Sequence, residues 1–274
     1  MSLVTTDWVL DNLNSLKIID ASWHMPAQKR NPAEEYLNAH IPNSIFFDLD
    51  ESSEKDTDLP HMLPKQEAWG KIMSSLGINN NDDILIYDNS DLKSSCRCWF
   101  SLLYFGHDEN KLHILNGGLK KWIFENKPIT KVTTEIVESN YVANEKGNLV
   151  VSLDQIKKNI LSKRFNVIDA RSLERFEGKV SEPRRGLRSG HIENSFCLPF
   201  HLCINQKTGE FKNLEELKEL FNQHENLEKR LDPVFTCGSG VTAAVLAYAY
   251  KMVNNDYIPK IYDGSWSEYG KYPA

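Results

Sequence analysis

Cys237 lies between a short apolar stretch and a run of small residues, in the sequence Phe-Thr-Cys-Gly-Ser-Gly. The alanine-rich apolar residues that follow this cysteine, Cys237, predict a helix that begins near Val241 or Thr242. Cys237 is thus predicted to lie in a turn from strand to helix, where Gly238 and Gly240 permit a tight loop. The positive end of a helix dipole stabilises a thiolate, which is the nucleophilic form of cysteine. Backbone N–H groups of such a loop also hold anions, so the segment indicates covalent sulfur chemistry.

The other four cysteines lie in apolar strand or helix contexts, where we predict ordinary core packing: Cys96, Cys98, Cys197 and Cys203. Five scattered cysteines do not suit a disulfide framework, which indicates a reducing compartment, with the cytoplasm as the default. No two cysteines have the C-x2-C spacing of a zinc site. We therefore expect neither a metal nor another cofactor.

Composition restricts the possible partners. The chain has 274 residues, a formal net charge of -6 and 41% hydrophobic residues. This length allows two domains of ordinary size, and the negative charge argues against a nucleic-acid partner. No apolar run approaches the roughly 20 residues of a membrane helix, so no membrane association is expected. Two aspartates and no basic residue precede Lys17, which fits neither a secretory signal nor a transit peptide.

An internal duplication organises the chain. Matching positions in the two halves are 149 or 151 residues apart: Asp20 and Asp169, Asp88 and Cys237, and His40 and His191. Each half alternates short strands with helical patterns, which predicts an α/β fold with parallel strands and helices on both faces of each sheet. Because Asp88 stands where the second half has Cys237, we expect thiol chemistry only in the second half. The two histidines occur in both halves and are interpreted as structural.

Helix-capping patterns and a polar stretch set the expected domain boundaries. Asn213 and Ser152 are predicted N-caps, the latter with Gln155 three residues later. A polar segment with helix breakers lies between the halves. We expect an inert domain over 1–129, a linker over 130–148 that wraps one domain against the other, and an active domain over 149–274.

Several motifs together resemble a known family. In the second of two duplicated halves, Cys-Gly-Ser-Gly-Val-Thr-Ala resembles the active-site loop of the rhodanese superfamily, and within it the 3-mercaptopyruvate sulfurtransferases. The resemblance covers nearly the whole chain through Ile-Asp-Ala-Arg (168–171), Arg-Ser-Gly-His-Ile (188–192), Tyr-Asp-Gly-Ser-Trp (262–266) and His-Met-Leu-Pro (61–64). It implies two tandem rhodanese-like domains. It also implies that sulfur passes from 3-mercaptopyruvate to a thiol or cyanide through a persulfide on Cys237, releasing pyruvate.

The resemblance also implies a substrate site. Five arginines lie within eighteen residues on the active half, and a 2-oxo acid needs such a cation for its carboxylate. The positions matching the family are Arg175 and Arg184, although the neighbouring Arg185 could point inward instead. The loop residues expected to contact the substrate are Gly238, Gly240, Val241 and Thr242.

A proton relay is a second implication of the resemblance. Ser239 matches a family serine that works with a histidine and an aspartate, and these match His61 and Asp50. Such a chain could protonate the pyruvate enolate or deprotonate the donor thiol. The alternative is a loop histidine that makes a structural hydrogen bond. Pro60 departs from the family pattern before the histidine and could alter the tilt of the imidazole.

Donor and acceptor choices leave alternatives open. Thiosulfate-using relatives place an arginine and a lysine directly after the cysteine, whereas Gly238 and Ser239 carry no charge, so thiosulfate should be a poor donor. A thiosulfate sulfurtransferase or a persulfide carrier would nevertheless use the same cysteine. A cysteine phosphatase would need an arginine that closes the loop around a dianion, and Val241, Thr242 and Ala243 offer none. By family analogy the acceptor is a small thiol or thioredoxin.

Overall fold

The structure is a computed structural model that describes residues 2–224 and 231–272. Contacts within this part of the chain form two compact units. The first unit takes residues up to 55, 63–146 and 207–210, and the second takes 56–62, 147–206 and the described residues from 211 onward. Most of the segment interpreted as a linker, residues 130–146, is therefore counted with the first unit.

The first unit is a parallel sheet flanked by helices. Its strands are β1 (Ser2–Val4), β2 (Lys17–Asp20), β3 (Ser44–Phe46), β4 (Ile84–Tyr87) and β5 (Leu112–Leu115). Its helices are α1 (Thr6–Asn12), α2 (Pro32–Asn38), α3 (Gln66–Ser75), α4 (Ser95–Tyr104) and α5 (Gly118–Phe124). The strand order is β1-β5-β4-β2-β3, and neighbouring strands pair in parallel.

The second unit repeats this arrangement. Its strands are β6 (Val150–Val151), β7 (Asn166–Asp169), β8 (Phe196–Cys197), β9 (Pro233–Thr236) and β10 (Ile261–Tyr262). Its helices are α6 (Leu153–Ser162), α7 (Leu173–Phe176), α8 (Leu214–His224), α9 (Val241–Val253) and α10 (Ser265–Tyr269). The order β6-β10-β9-β7-β8 is that of the first unit, again with parallel pairs. The predicted α/β fold in two copies is confirmed.

Matching backbone contacts show how closely the units agree. Ala21 N donates to Tyr87 O at 2.9 Å, and in the second unit Ala170 N donates to Thr236 O at 2.8 Å. The two duplicated histidines also agree, because each stacks on an aromatic ring of its own unit with centroids 4.0 Å apart, Tyr36 under His40 and Phe176 under His191. Both imidazoles therefore serve packing in the structure, as interpreted from their duplication.

The cores explain why the elements form. One core cluster in each unit packs branched strand residues against helices and a tryptophan. It contains Ile18, Leu85 and Trp122 in the first unit, and Val167, Val234 and Trp266 in the second. Helix α9 is apolar around its whole circumference and is buried along most of its length, as expected for a central helix. Among the described residues, no helix is both long and apolar enough to cross a lipid bilayer.

Helix caps follow the predicted sequence signals. Ser152 and Gln155 form a capping box at the start of α6. Asn213 Oδ1 accepts a hydrogen bond from Glu216 N at 2.9 Å just before α8. Helix α9 begins at Val241, one of the two residues at which its start is predicted.

Candidate active site

Cys237 lies between β9 and α9, at the carboxyl end of a strand that pairs with β7 on one side and β10 on the other. Gly240 caps α9 with a φ of 79°, a left-handed conformation that glycine adopts without strain. Only 2% of Cys237 is exposed. Val241 is buried in the first turn of the helix and Thr242 is half-buried. Cys237 therefore lies in a sheltered position before the N-terminal end of a 13-residue helix, which is the positive end of the helix dipole.

The turn between β10 and α10 holds the cysteine loop in place. Ser265 Oγ accepts hydrogen bonds from Cys237 N at 3.2 Å and from Gly240 N at 3.1 Å, and it donates to Tyr262 O. Trp266 N donates to Cys237 O at 2.9 Å. Two backbone N–H groups of the loop thus bind a hydroxyl, so the expectation that loop N–H groups turn toward an anion does not hold for them.

The sequence reasoning missed Ser265, although the duplication carried the signal. The matching residue of the first unit is Gly118, with a φ of 60°, and Ser265 has a φ of 49°. Leu119 N donates to Asp88 O at 2.9 Å, just as Trp266 N donates to Cys237 O. A Cβ on Gly118 would collide with Asp88 O. Ser265 keeps a left-handed conformation that suits the glycine of the other copy. This conformation indicates that the hydroxyl of Ser265 is needed to bind the cysteine loop.

Two of the five arginines approach the loop. A Cβ built on Gly238 would lie 3.2 Å from Arg175 Nη2 and 3.6 Å from Arg184 Nη1. Arg184 Nη2 also donates to Ser239 Oγ at 3.4 Å. Arg185 is exposed. The structure therefore brings Arg175 and Arg184 together beside the residue that follows the cysteine.

Glu182 is a second residue that the sequence reasoning missed. Its carboxylate accepts from Arg175 Nη2 at 2.5 Å and from Arg171 Nη1 at 2.8 Å. Arg171 in turn pairs with Asp169 at 2.7 Å. Burial alone would lower the pKa of Arg171, but Asp169 and Glu182 raise it above its ordinary value. The only sequence signal was an acid placed among several arginines.

Two members of the predicted relay, Ser239 and His61, lie together. His61 Nδ1 lies 2.8 Å from Ser239 Oγ, and both side chains are buried in the second unit. His61 has a φ of 61°, so its backbone is left-handed. Asp50 belongs to the first unit, where its carboxylate accepts a hydrogen bond from Trp23 Nε1 at 3.0 Å.

Three of the other four cysteines have surroundings that disfavour a thiolate. Burial raises the pKa of Cys203 to about 12, and burial together with Asp169 raises that of Cys197 to about 12. Burial also raises the pKa of Cys98 far above its ordinary value. Cys96 is fully buried in α4. Core packing, as predicted, describes three of these residues, and Cys197 is half-buried.

Comparisons with known proteins agree with this architecture. A profile described as "Rhodanese-like domain" matches residues 5–125 and 152–272. "Thiosulfate/3-mercaptopyruvate sulfurtransferase 1, mitochondrial" of Arabidopsis thaliana is 39% identical, over 99% of this chain and 76% of its own length. "3-mercaptopyruvate sulfurtransferase" of Escherichia coli K12 is 36% identical, over 97% of this chain and 94% of its own. The crystal structure of SseA from Escherichia coli, described by its "Rhodanese" fold, matches with a TM-score of 0.86 and 34% identity, over 97% of this chain and 99% of that one.

Proposed function

Because the chain belongs to the rhodanese-like family, with two copies of the domain, we propose that it is a sulfurtransferase that takes sulfur from 3-mercaptopyruvate. One observation carries the proposal. The guanidinium groups of Arg175 and Arg184 lie beside Gly238, directly after the cysteine at the start of α9. A 2-oxo acid presents a carboxylate next to a ketone, and the planar fork of arginine suits these oxygens. The donor sulfur would then lie close to Cys237.

The first half-reaction forms a persulfide. The Cys237 thiolate attacks the sulfur of 3-mercaptopyruvate, a sulfur–sulfur bond forms, and the carbon–sulfur bond breaks. The bonding electrons move into the ketone and give the enolate of pyruvate. Protonation of its terminal carbon releases pyruvate, while the transferred sulfur remains on Cys237 as a persulfide. Gly238, Gly240, Val241 and Thr242 form the wall of the loop and helix start that receives this sulfur.

The second half-reaction regenerates the free Cys237 thiolate. An acceptor thiolate attacks the outer sulfur, takes it as a new persulfide and leaves the Cys237 thiolate. Cyanide instead takes the sulfur as thiocyanate. We assign the acceptor role to a small thiol or thioredoxin and the site of action to the cytoplasm. The Arabidopsis relative is named mitochondrial, so that compartment is the alternative.

Proton transfer is assigned to Ser239 and His61. The imidazole lies 2.8 Å from the hydroxyl, within reach for proton exchange. The proton removed from the Cys237 thiol balances the proton that the enolate needs. The family resemblance implies Asp50 as the third member of this relay.

Thiosulfate is the second candidate donor, because the name of the Arabidopsis relative includes both donors. It is a compact dianion, and the two residues after Cys237 are uncharged. We therefore expect it to react more slowly than 3-mercaptopyruvate. A persulfide carrier without keto-acid turnover is the non-enzymatic alternative.

Initial rates test the proposal. Pyruvate and thiocyanate are measured with 3-mercaptopyruvate and cyanide, and thiocyanate alone with thiosulfate. Donor without acceptor should add one sulfur to the Cys237 peptide in a mass spectrum. Cys237→Ser should abolish both signals, whereas the matched control Cys203→Ser should keep them. Faster turnover of thiosulfate, or a persulfide on another cysteine, would contradict the assignment.

A further inference from the structure

Four charged side chains form a buried chain behind the proposed carboxylate site. Asp169 binds Arg171, Arg171 binds Glu182, and Glu182 binds Arg175. The side chains of Asp169, Arg171 and Glu182 are at most 2% exposed, and that of Arg175 is 23% exposed. Only the last member of this chain is in contact with solvent and next to Gly238.

We propose that Glu182 is a specificity-determining residue, which makes the arginine site suitable for monoanionic donors and unsuitable for dianions. The inference rests on the proposed function, since it concerns the donor that Arg175 receives. Glu182 does not touch the donor itself. It acts through Arg175, both by its charge and by the way it orients the guanidinium group.

The charges of the four side chains alternate in sign. The two acids cancel the two arginines, so this chain adds no net charge at the site. Arg175 then attracts a ligand chiefly through directed N–H groups. The Glu182 carboxylate repels a bound dianion about twice as strongly as a monoanion, because the Coulomb energy is proportional to the ligand charge. The carboxylate should therefore weaken the binding of thiosulfate or sulfate more than the binding of a 2-oxo acid.

Glu182 also orients Arg175, because its two oxygens bind two different nitrogens of the guanidinium group. Glu182 Oε1 accepts from Arg175 Nε at 3.2 Å, and Oε2 accepts from Nη2 at 2.5 Å. This paired contact fixes the plane of the guanidinium group. The Nη nitrogens consequently lie 3.2 and 3.9 Å from the position of a Cβ on Gly238. A neutral residue at position 182 would remove the negative charge and would no longer fix the plane of the Arg175 guanidinium group.

Ligand protection tests the inference without relying on turnover. Full-length protein is alkylated with iodoacetamide, and the Cys237 peptide is quantified with sulfate or with pyruvate as the protecting ligand. Glu182→Gln should raise the ratio of sulfate affinity to pyruvate affinity by about tenfold, the size expected for one charge removed close to the ligand. Glu182→Ser removes the same charge and leaves room for water, so it supports the test if the glutamine variant does not fold.

Glu182→Asp is the matched control, since it keeps the charge but shortens the side chain. It should weaken both ligands together and leave their ratio as in the wild type. In the steady state, the thiosulfate to 3-mercaptopyruvate ratio of kcat/KM should rise in the glutamine variant and stay constant in the aspartate variant. An unchanged protection ratio in folded Glu182→Gln, or an equal shift in Glu182→Asp, would overturn the inference. Failure of the wild type to consume 3-mercaptopyruvate would refute the proposed function instead, because the protection ratio needs no reaction.

Discussion

Asp20 and Asp169 end the matching strands β2 and β7, yet different groups stabilise their charges. Arg171 pairs with Asp169, whereas Asp20 accepts hydrogen bonds from the backbone and the hydroxyl of Ser22. Burial raises the pKa of Asp20 to about 6, although the bonds from Ser22 oppose the shift. The first unit therefore contains a carboxylate that costs stability when it is ionised.

Replacing this carboxylate should stabilise the protein near neutral pH. The pKa of Asp20 is about 6 in the folded protein and 3.8 ordinarily, so the folded state binds the proton more tightly. Stability should fall as pH rises from about 4 to 6, and the loss should persist above pH 6. Asp20→Asn should raise the free energy of unfolding at pH 7.5 by about 1–3 kcal/mol, with no gain near pH 4. Denaturant unfolding at both pH values measures this.

Asp169→Asn is the matched comparison, for which we expect a change in the free energy of unfolding of the opposite sign. It leaves Arg171 buried without its closest acid and should destabilise the protein by about 3–5 kcal/mol at pH 7.5. Destabilisation by Asp20→Asn at pH 7.5 would contradict the account of the first unit.

Gly238 is expected to matter for binding more than for folding. A methyl group there would lie 3.2 Å from Arg175 Nη2, which must shift by a few tenths of an ångström. Gly238→Ala should therefore raise the KM for 3-mercaptopyruvate by roughly tenfold, because small displacements of a binding group are costly. The melting temperature should hardly change. Gly147→Ala, where no atom lies within 4 Å of the added carbon, should leave KM unchanged.

At the scale of elements, the turn from β10 into α10 positions the loop of Cys237. Ser265→Ala would deprive the N–H groups of Cys237 and Gly240 of their acceptor, at about 1–3 kcal/mol for each buried group. We expect a lower melting temperature and at least about a tenfold fall in kcat, because the loop loses its fixed geometry.

Ser265→Gly distinguishes the effect of losing the hydroxyl from the effect of the strained backbone. It copies Gly118 of the first unit and relieves a left-handed conformation that costs a side chain roughly 1–2 kcal/mol. This variant should be more stable than Ser265→Ala but equally slow. Wild-type kcat in Ser265→Gly would show that the hydroxyl does not support the loop.

Local signals explain why the helix starts were predictable and the site contacts were not. Ser152 with Gln155, and Asn213 with Glu216, are neighbours along the chain, so their caps can be read from spacing. Ser265 and Cys237 are 28 positions apart in the sequence. Their hydrogen bond depends on the left-handed backbone conformation of Ser265, which serine rarely adopts. Spacing alone does not reveal such a contact.

For the whole molecule, the duplication predicted two similar α/β units with parallel strands, whereas the order of the strands within each sheet was not predicted and is given by the structure. The short segment 56–62 is a departure from the repeat, because it comes from the first half of the chain but is counted with the second unit. Its His61 contacts Ser239 across 178 positions. The family resemblance suggested this pair, while the repeat itself gave no sign of it.

Coupling between the two residues can be measured. His61→Asn tolerates the left-handed backbone but cannot accept a proton, so kcat should fall by about a hundredfold with little change in KM. Ser239→Ala should lower kcat by a similar factor. If both act in one relay, the double variant should be no slower than the slower single variant. Multiplying losses in the double variant would instead indicate independent roles.

The tight backbone at Gly118 has a consequence for the ancestry of the two copies. Because Asp88 O leaves no space for a side chain on Gly118, installing a cysteine at position 88 would not create a second sulfur carrier. The backbone would first have to open and accept a serine in a left-handed turn. A sulfur carrier in the first copy would thus need coordinated changes at distant points of the chain, which no single mutation supplies.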